Sequence, residues 1–406
     1  MDLLELFRRA VGAADPAICV PRHLPEPPAG RTLVLAAGKA AASMAAAVER
    51  RWPAHAPLRG LAVTRDGHGV PCERIEVIEA AHPVPDARGR DAAARALQLA
   101  SDLRADDLLL FLVSGGGSSL LVQPAPGVDL AEKQRINRAL LRSGAPIGAI
   151  NVVRRHLSAI KGGWLAAAAH PARVVTLGIS DVPGDDPITI ASGPTVADPT
   201  SVDDARAVLA RYDIRTVAPL SETPKPGEAA FERATFTMVA TPRTMLDAVI
   251  ENVRDVKVMD LGADVEGEAR EVAANHADLA REAAKTGEPT LILSGGETTV
   301  TVTGESGRGG RNCEYLLSLA VALDGHPDVR ALAADTDGID GSEDNAGAVC
   351  GPDTLARARE LGLDAREHLA RHDSHAFFQR LDSLIVTGPT RTNVNDFRAI
   401  AVNAPT

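Results

Sequence analysis

Leu108-Leu109-Leu110-Phe111-Leu112-Val113-Ser114-Gly115-Gly116-Gly117-Ser118-Ser119 is the stretch on which the fold turns. Its unbroken apolar run has the length of a strand and is short for a helix. Without alternation, both faces of that strand must be buried, as in a parallel sheet covered by helices. The chain then breaks into three glycines flanked by hydroxyls, a loop whose backbone can turn successive N–H groups toward an anion. The same grammar recurs on either side. Leu33-Val34-Leu35-Ala36-Ala37 runs into Gly38-Lys39 and an Ala-rich helical stretch, and Val174 to Ile179 runs into Ser180-Asp181-Val182-Pro183-Gly184-Asp185-Asp186. In the second half, Leu291-Ile292-Leu293 precedes Ser294-Gly295-Gly296-Glu297, and Arg330 to Ala334 precedes Asp335-Thr336-Asp337-Gly338. Apolar runs alternating with helical segments predict an α/β protein with doubly wound sheets. Each polar motif follows a strand, at the carboxyl end where open parallel sheets bind ligands, so the five loops read as one composite site.

At 406 residues the chain has room for two domains. A composition break lies near 196–235: a helical stretch follows Asp198-Pro199-Thr200, and then Ser221-Glu222-Thr223-Pro224-Lys225-Pro226-Gly227, without periodicity, reads as a linker, dividing the chain into 1–225 and 235–406. Apolar residues at 45% suit a globular protein, while aromatics at 3% leave few platforms for stacking bases. A formal charge of −11 argues further against a nucleic-acid binder, because phosphate backbones select a basic face. No apolar run approaches the ~20 residues of a membrane span. The acidic start at Asp2 and Glu5 is unlike a signal peptide, and Leu3, Leu4, Phe7, Ala10 and Val11 fit one helix face. Four scattered cysteines with no C-x-x-C pair predict reduced thiols in a cytoplasmic protein.

Several residues are candidates for chemistry. Lys39, directly after a buried strand and opening a helix, is placed either to reach a phosphate or to lie in solvent. Ser114, Gly115, Gly116, Gly117 and Ser118 form an anion cradle or a bare tight turn. This loop is neither a Walker A string nor the G-x-G-x-x-G fingerprint. Residues 151–163 read as a basic helix ending in Gly162-Gly163, with Arg154, Arg155 and Lys161 as anion ligands or as a solvated face. Asp181, Asp185 and Asp186 on one loop, and Asp335, Asp337 and Asp340 on another, supply the hard oxygens that Mg²⁺ takes, or cap turns. Gly307-Arg308-Gly309-Gly310-Arg311-Asn312 embeds two arginines in glycines and predicts anion recognition. His368, His372 and His375 fall on one helical face, where ordinary surface histidines are expected rather than a metal site.

Taken in order, these strings resemble the glycerate 2-kinase family, whose members carry a MOFRL domain and were formerly labelled hydroxypyruvate reductases. The resemblance rests on Gly38-Lys39-Ala40-Ala41, Ala81-His82-Pro83-Val84-Pro85-Asp86, Ser114 to Ser118, His156 to Gly163, Ser180 to Asp186, Ser192-Gly193-Pro194-Thr195, Ser294 to Val300, Gly309-Gly310-Arg311-Asn312, Asp335 to Gly341 and Thr392-Asn393-Val394-Asn395-Asp396. It implies a Rossmann-like, mostly parallel N-terminal domain, a smaller mixed-sheet MOFRL domain, and an active site in the cleft between them. It also implies Mg²⁺-assisted transfer of a phosphoryl group from ATP to the 2-hydroxyl of D-glycerate, in a small-molecule enzyme with no membrane partner and room for homodimerisation. Lys39 and Arg311 become the catalytic cations, with Asp185 or Asp337 accepting the hydroxyl proton. Gly38, Ser114 to Ser118, Lys161, Ser294, Gly295, Gly296, Glu297, Gly309, Gly310, Asn312 and Asn395 become nucleotide-binding residues, and Asp181, Asp186 and Asp335 metal ligands. Replacing Arg311 with Ala is expected to remove most of the turnover without unfolding the chain. The sequence departs from the family at Cys313, Trp164 and Arg391. The rival readings are a nicotinamide-dependent reductase of hydroxypyruvate or tartronate semialdehyde, a kinase for a related sugar acid, and a non-catalytic sensor of a sugar acid. The reductase lacks its dinucleotide fingerprint.

Overall fold

The computed structural model describes residues 1–302 and 307–403. The chain folds as two compact units, one of residues 16–239 and one of residues 1–15 with 240–406. The sequence put the division at 225–235 and counted the first residues with the N-terminal domain.

The unit of residues 16–239 is organised by a sheet of β1 (Thr32–Ala37), β2 (Leu58–Arg65), β3 (Ile75–Ala80), β4 (Leu108–Val113), β5 (Arg173–Ile179) and β6 (Ala234–Ala240). Its order is β3-β2-β1-β4-β5-β6, and the pairings from β3 through β5 are parallel. Every residue of β1 and β4 is buried, as their unbroken apolar runs require. Leu35, Phe111, Leu109 and Val113 pack with Ala92, Ala93 and Ala96 of the helix Ala87–Ser101, whose small side chains let it lie close on the sheet. A smaller core joins Ile136, Leu140, Val153 and Leu209 from the helices Leu130–Arg142, Ile147–His156 and Val202–Arg211, with Leu157 just past the end of the second.

The helical stretch expected after Asp198-Pro199-Thr200 is part of that second core, and the linker reading of 221–227 concerns the segment that follows it. Val202–Arg211 is a helix with a complete Ser201/Asp204 capping box, and Tyr212, Ile214 and Leu220 pack after it. Ser221 N–H donates to His156 O (2.9 Å) and Val202 N–H to Glu222 Oε1 (2.9 Å). Around 221–227, polar and proline-rich composition marks a segment held by hydrogen bonds rather than by periodicity.

The other unit carries β7 (Lys257–Asp260), β8 (Gly267–Glu268), β9 (Thr290–Ser294), β10 (Thr298–Thr299), β11 (Val329–Asp335), β12 (Gly347–Cys350), β13 (Leu384–Ile385) and β14 (Asp396–Val402). The order is β13-β12-β11-β14-β9-β7, with only β7 and β9 parallel, and β8 pairs β10 in a short separate ladder. A doubly wound parallel sheet was therefore the wrong reading of this half from its runs, and the mixed sheet implied by the family resemblance is what is found. Burial on both faces, not strand direction, writes the continuous apolar run. The helices Ala269–Lys285 and Arg311–Leu323 pack together through Ala273, Ala277, Leu316 and Leu319. The helix Leu3–Ala13 belongs here: Asp2 caps it, and the Phe7 ring packs tilted against that of Phe397 of β14, centroids 6.1 Å apart. Its buried face is Leu3, Leu6, Phe7 and Ala10. Among the described residues no helix is long and apolar enough to cross a membrane.

Candidate active site

In the unit of residues 16–239, Lys39 stands where the sheet order reverses, between β1 and β4, which is where sheets of this order bind ligands. Its backbone is fixed by the glycine loop: Lys39 N–H donates to Gly115 O (2.8 Å) and Ala40 N–H to Ser114 Oγ (3.0 Å). Gly38 has φ +132°, and a Cβ there would come within 2.2 Å of Ser114 Oγ, so only glycine lets the two loops meet. Gly116, at φ +81°, leaves room for His82 and the Lys39 side chain, which a Cβ would meet at 3.0 and 3.4 Å. Ser118 Oγ bonds Ser192 Oγ (2.9 Å), which donates to Asn151 Oδ1 (3.1 Å), tying the loop after β4 to the helix Ile147–His156. Gly38, Lys39 and Ser114 to Ser118 are thus brought together as the sequence expected.

Beside them lies a cavity of about 340 Å³, bordered by His82, Gly115, Gly116, Ser118, Asn151, Arg154 and Asp181. Its apolar wall includes Pro83, Val84, Leu141, Ile147 and Val182. Of the three acids on the loop after β5, Asp181 borders it. Asp186 is exposed and bonds Ile188 N–H, while Asp185 keeps Oδ1 buried without a hydrogen-bond partner.

Two of the basic candidates are not placed to meet a ligand. Lys161 is 1% exposed and donates through Nζ to Leu121 O (3.1 Å) and Ala191 O (3.2 Å), bracing two loops from behind. Burial, with the charges of Lys133 and Arg154, holds its pKa well below the ordinary lysine value. Arg155 is buried against Asp198 (2.8 Å). The helix ends at His156, so 157–163 is a run of turns and not the expected basic helix. Arg154 alone of the three faces the cavity. Arg138 and Asn137, also on its lining, carry no sequence signal beyond an ordinary helix surface.

In the other unit, Arg311 opens the helix Arg311–Leu323 and is gripped by acids. Its Nε donates to Asp396 (2.9 Å), Nη2 to Asp335 (2.8 Å), and Nη1 pairs with Glu297 (3.0 Å). Burial alone would lower its pKa, but these carboxylates outweigh burial and raise it further, so the guanidinium stays charged. Arg398, 1% exposed, holds the other oxygen of Asp396 (2.6 Å) and Gly295 O (2.8 Å), so the loop after β9 is tied to the same network. Asp340 accepts from Asn312 N–H and Cys313 N–H, both at 2.9 Å, and burial raises its pKa. Gly310 must be glycine because a Cβ would lie 2.3 Å from Asp340 Oδ1, and Gly296, at φ +92°, lies against Val265. Asp335 Oδ1 accepts from Asp337 N–H and Asp337 Oδ1 from Ile339 N–H, while Asn395 O receives Thr336 N–H and Oγ1–H.

This geometry corrects the view that 307–312 has no packing purpose. Arg308 pairs with Glu343, Arg311 anchors an ion network, and Gly309 and Gly310 permit close contact with Ser374 and Asp340. The three histidines do not share one face: His368 is on Ala365–Ala370, His372 in the following turn against Glu314, and His375 buried on Ser374–Arg380. Among the described residues no group of three His, Cys, Asp or Glu side chains is arranged to hold a metal ion. Magnesium usually takes one or two carboxylates and completes its shell with phosphates and water.

A Rossmann-like sheet with a lysine and a glycine loop at its reversal point, in one chain with a mixed-sheet unit whose arginine is caged by carboxylates, defines a two-unit α/β protein. The chain matches a domain of unknown function, DUF4147, over residues 2–222 and the MOFRL family over residues 290–396. It is 37% identical to a D-glycerate 2-kinase of Thermotoga maritima, covering 97% of this chain and 96% of that one, and 36% identical to a human glycerate kinase, covering 97% and 91%. A protein of Agrobacterium vitis, called a putative hydroxypyruvate reductase, is 51% identical over 98% of this chain and 94% of its own. The crystal structure of a glycerate kinase from Thermotoga maritima superposes with a TM-score of 0.90 at 36% identity, covering 98% of each chain. The chain belongs to the MOFRL-containing glycerate kinase family.

Proposed function

We propose that the protein is a glycerate 2-kinase, transferring the terminal phosphoryl group of ATP to the 2-hydroxyl of D-glycerate. The observation that carries this reading is Lys39, locked by Gly115 and Ser114 at the sheet's reversal point beside a glycine loop. Phosphoryl transfer asks a protein mainly for positioning and for fixed positive charge around a loose transition state. In this reading Lys39 and Arg311 neutralise the transferred oxygens, and Asp185 or Asp337 accepts the hydroxyl proton. The backbone of Gly38 and Ser114 to Ser118, with Ser294, Gly295, Gly296, Glu297, Gly309, Gly310, Asn312 and Asn395, positions the nucleotide. Lys161 serves by bracing the loops around Leu121 and Ala191. The acids suit a hard cation: Asp181 and Asp186, or Asp335, would hold Mg²⁺, and Asp185 keeps an unpartnered buried oxygen beside the first pair. When bound, that ion supplies charge neutralisation of the phosphate oxygens.

Four free cysteines suit a reducing cytoplasm, and a homodimer is compatible with the reading. The test is ADP release with D-glycerate in wild type and Lys39→Ala. Turnover in the wild type that falls at least about 100-fold in the variant supports the reading. Oxidation of NADH by hydroxypyruvate without ATP would replace it with the reductase that the Agrobacterium name suggests.

A further inference from the structure

We infer that Arg154 is the anchor for the substrate's carboxylate, and that the cavity it lines is the acceptor pocket of the kinase proposed above. Arg154 borders the cavity and is held from behind by neutral oxygens: Nε donates to Asn137 Oδ1 (3.4 Å) and Nη1 to Asn151 Oδ1 (3.2 Å). Among the described residues no carboxylate pairs with it. Its Nη2 donors have no protein partner there either, leaving the end of the guanidinium for a ligand. A desolvated, uncompensated guanidinium is costly, and a bound anion removes that cost. The surroundings add to the demand, because Lys133 and Lys161 are buried nearby and feel its charge.

The anion is a carboxylate and not a triphosphate for three reasons. One planar fork matches a planar monoanion with two parallel bonds, whereas a triphosphate requires several cations and a backbone cradle. A backbone cradle of that kind is offered by Lys39 and Gly115–Gly117, of which Gly115 and Gly116 border the same cavity away from any hydrogen bond to Arg154. Around Arg154 the wall is aliphatic, formed by Pro83, Val84, Leu141 and Ile147, which suits a carbon skeleton. Ser118, on the same lining and fixed by Ser192, is available to a substrate hydroxyl.

This assignment rests on the glycerate kinase reading, and the experiment separates the two. Initial rates are measured for wild type, Arg154→Gln and Arg154→Lys with D-glycerate, with D-glyceramide and over a range of MgATP. The expected result is a KM for D-glycerate raised about 10- to 100-fold in Arg154→Gln, with KM for MgATP within about twofold and a smaller defect in Arg154→Lys. The preference of the wild type for the acid over the amide should collapse in Arg154→Gln. A raised KM for MgATP with that for glycerate unchanged, or no change in either, overturns the assignment. If the wild type releases no ADP with D-glycerate, the kinase reading falls, and thermal stabilisation by D-glycerate, L-lactate and tartronate then judges the pocket. Stabilisation lost in Arg154→Gln sustains the carboxylate site, and its absence from the wild type, or its persistence in the variant, rejects it.

Discussion

Arg311 is the residue at which the proposed chemistry and the architecture meet. Asp396 is 0% and Asp335 5% exposed, so removing the guanidinium strands buried charge. Arg311→Ala should therefore cost roughly 3–5 kcal/mol in urea denaturation, besides abolishing turnover. The expectation of lost activity in an otherwise intact chain neglects this cage, and a change below about 1 kcal/mol would show that Arg398 alone satisfies the acids. His276 gives a separate reading of pH. Burial, aided by the Arg398 charge, lowers its pKa from 6.5 to about 4, and its ring bonds the Tyr315 hydroxyl (2.8 Å). The unfolded chain binds the extra proton between those values, so this contribution is complete above pH 6.5 and is lost as pH falls toward 4. Unfolding free energy at pH 4.5 should lie about 2–3 kcal/mol below that at pH 7, with His276→Asn flattening the decline. An equally steep decline in the variant would assign it to other groups.

At the scale of elements, the loops after β1 and β4 are one device. Gly38→Ala places a methyl on Ser114 and forces a left-handed φ on an L-residue, costing about 2–4 kcal/mol. It should also displace Lys39, so the folded fraction should turn over at least about tenfold more slowly. Wild-type turnover would mean that the lysine backbone need not be fixed by Gly115. This device was legible in sequence because a buried parallel strand is an unbroken apolar run and its functional loop a run of glycines. What was illegible has physical reasons too. Nothing local to Lys161 records that its ammonium ends among carbonyls, and nothing local to Arg154 distinguishes it from Arg155, which meets Asp198. Strand direction in the second sheet left no trace, since antiparallel β14 is as fully buried as parallel β1 and β4.

For the molecule as a whole, the chain's first fifteen residues belong with its last hundred and sixty or so. Phe7 is 1% exposed and packs on Phe397, so Phe7→Ala should lower the stability of the unit containing 240–406 by about 3–5 kcal/mol. Hydrogen exchange should then rise in β11 and β14 while β1 and β4 stay protected, and uniform loosening would contradict the division. The central claim, that these units make a glycerate 2-kinase, is tested most directly by ³¹P and ¹H NMR of the product formed from MgATP and D-glycerate. The account predicts 2-phosphoglycerate with one ADP for each acid consumed. Phosphate on the 3-hydroxyl, or no phosphorylated acid alongside nicotinamide-dependent reduction of hydroxypyruvate, would contradict it.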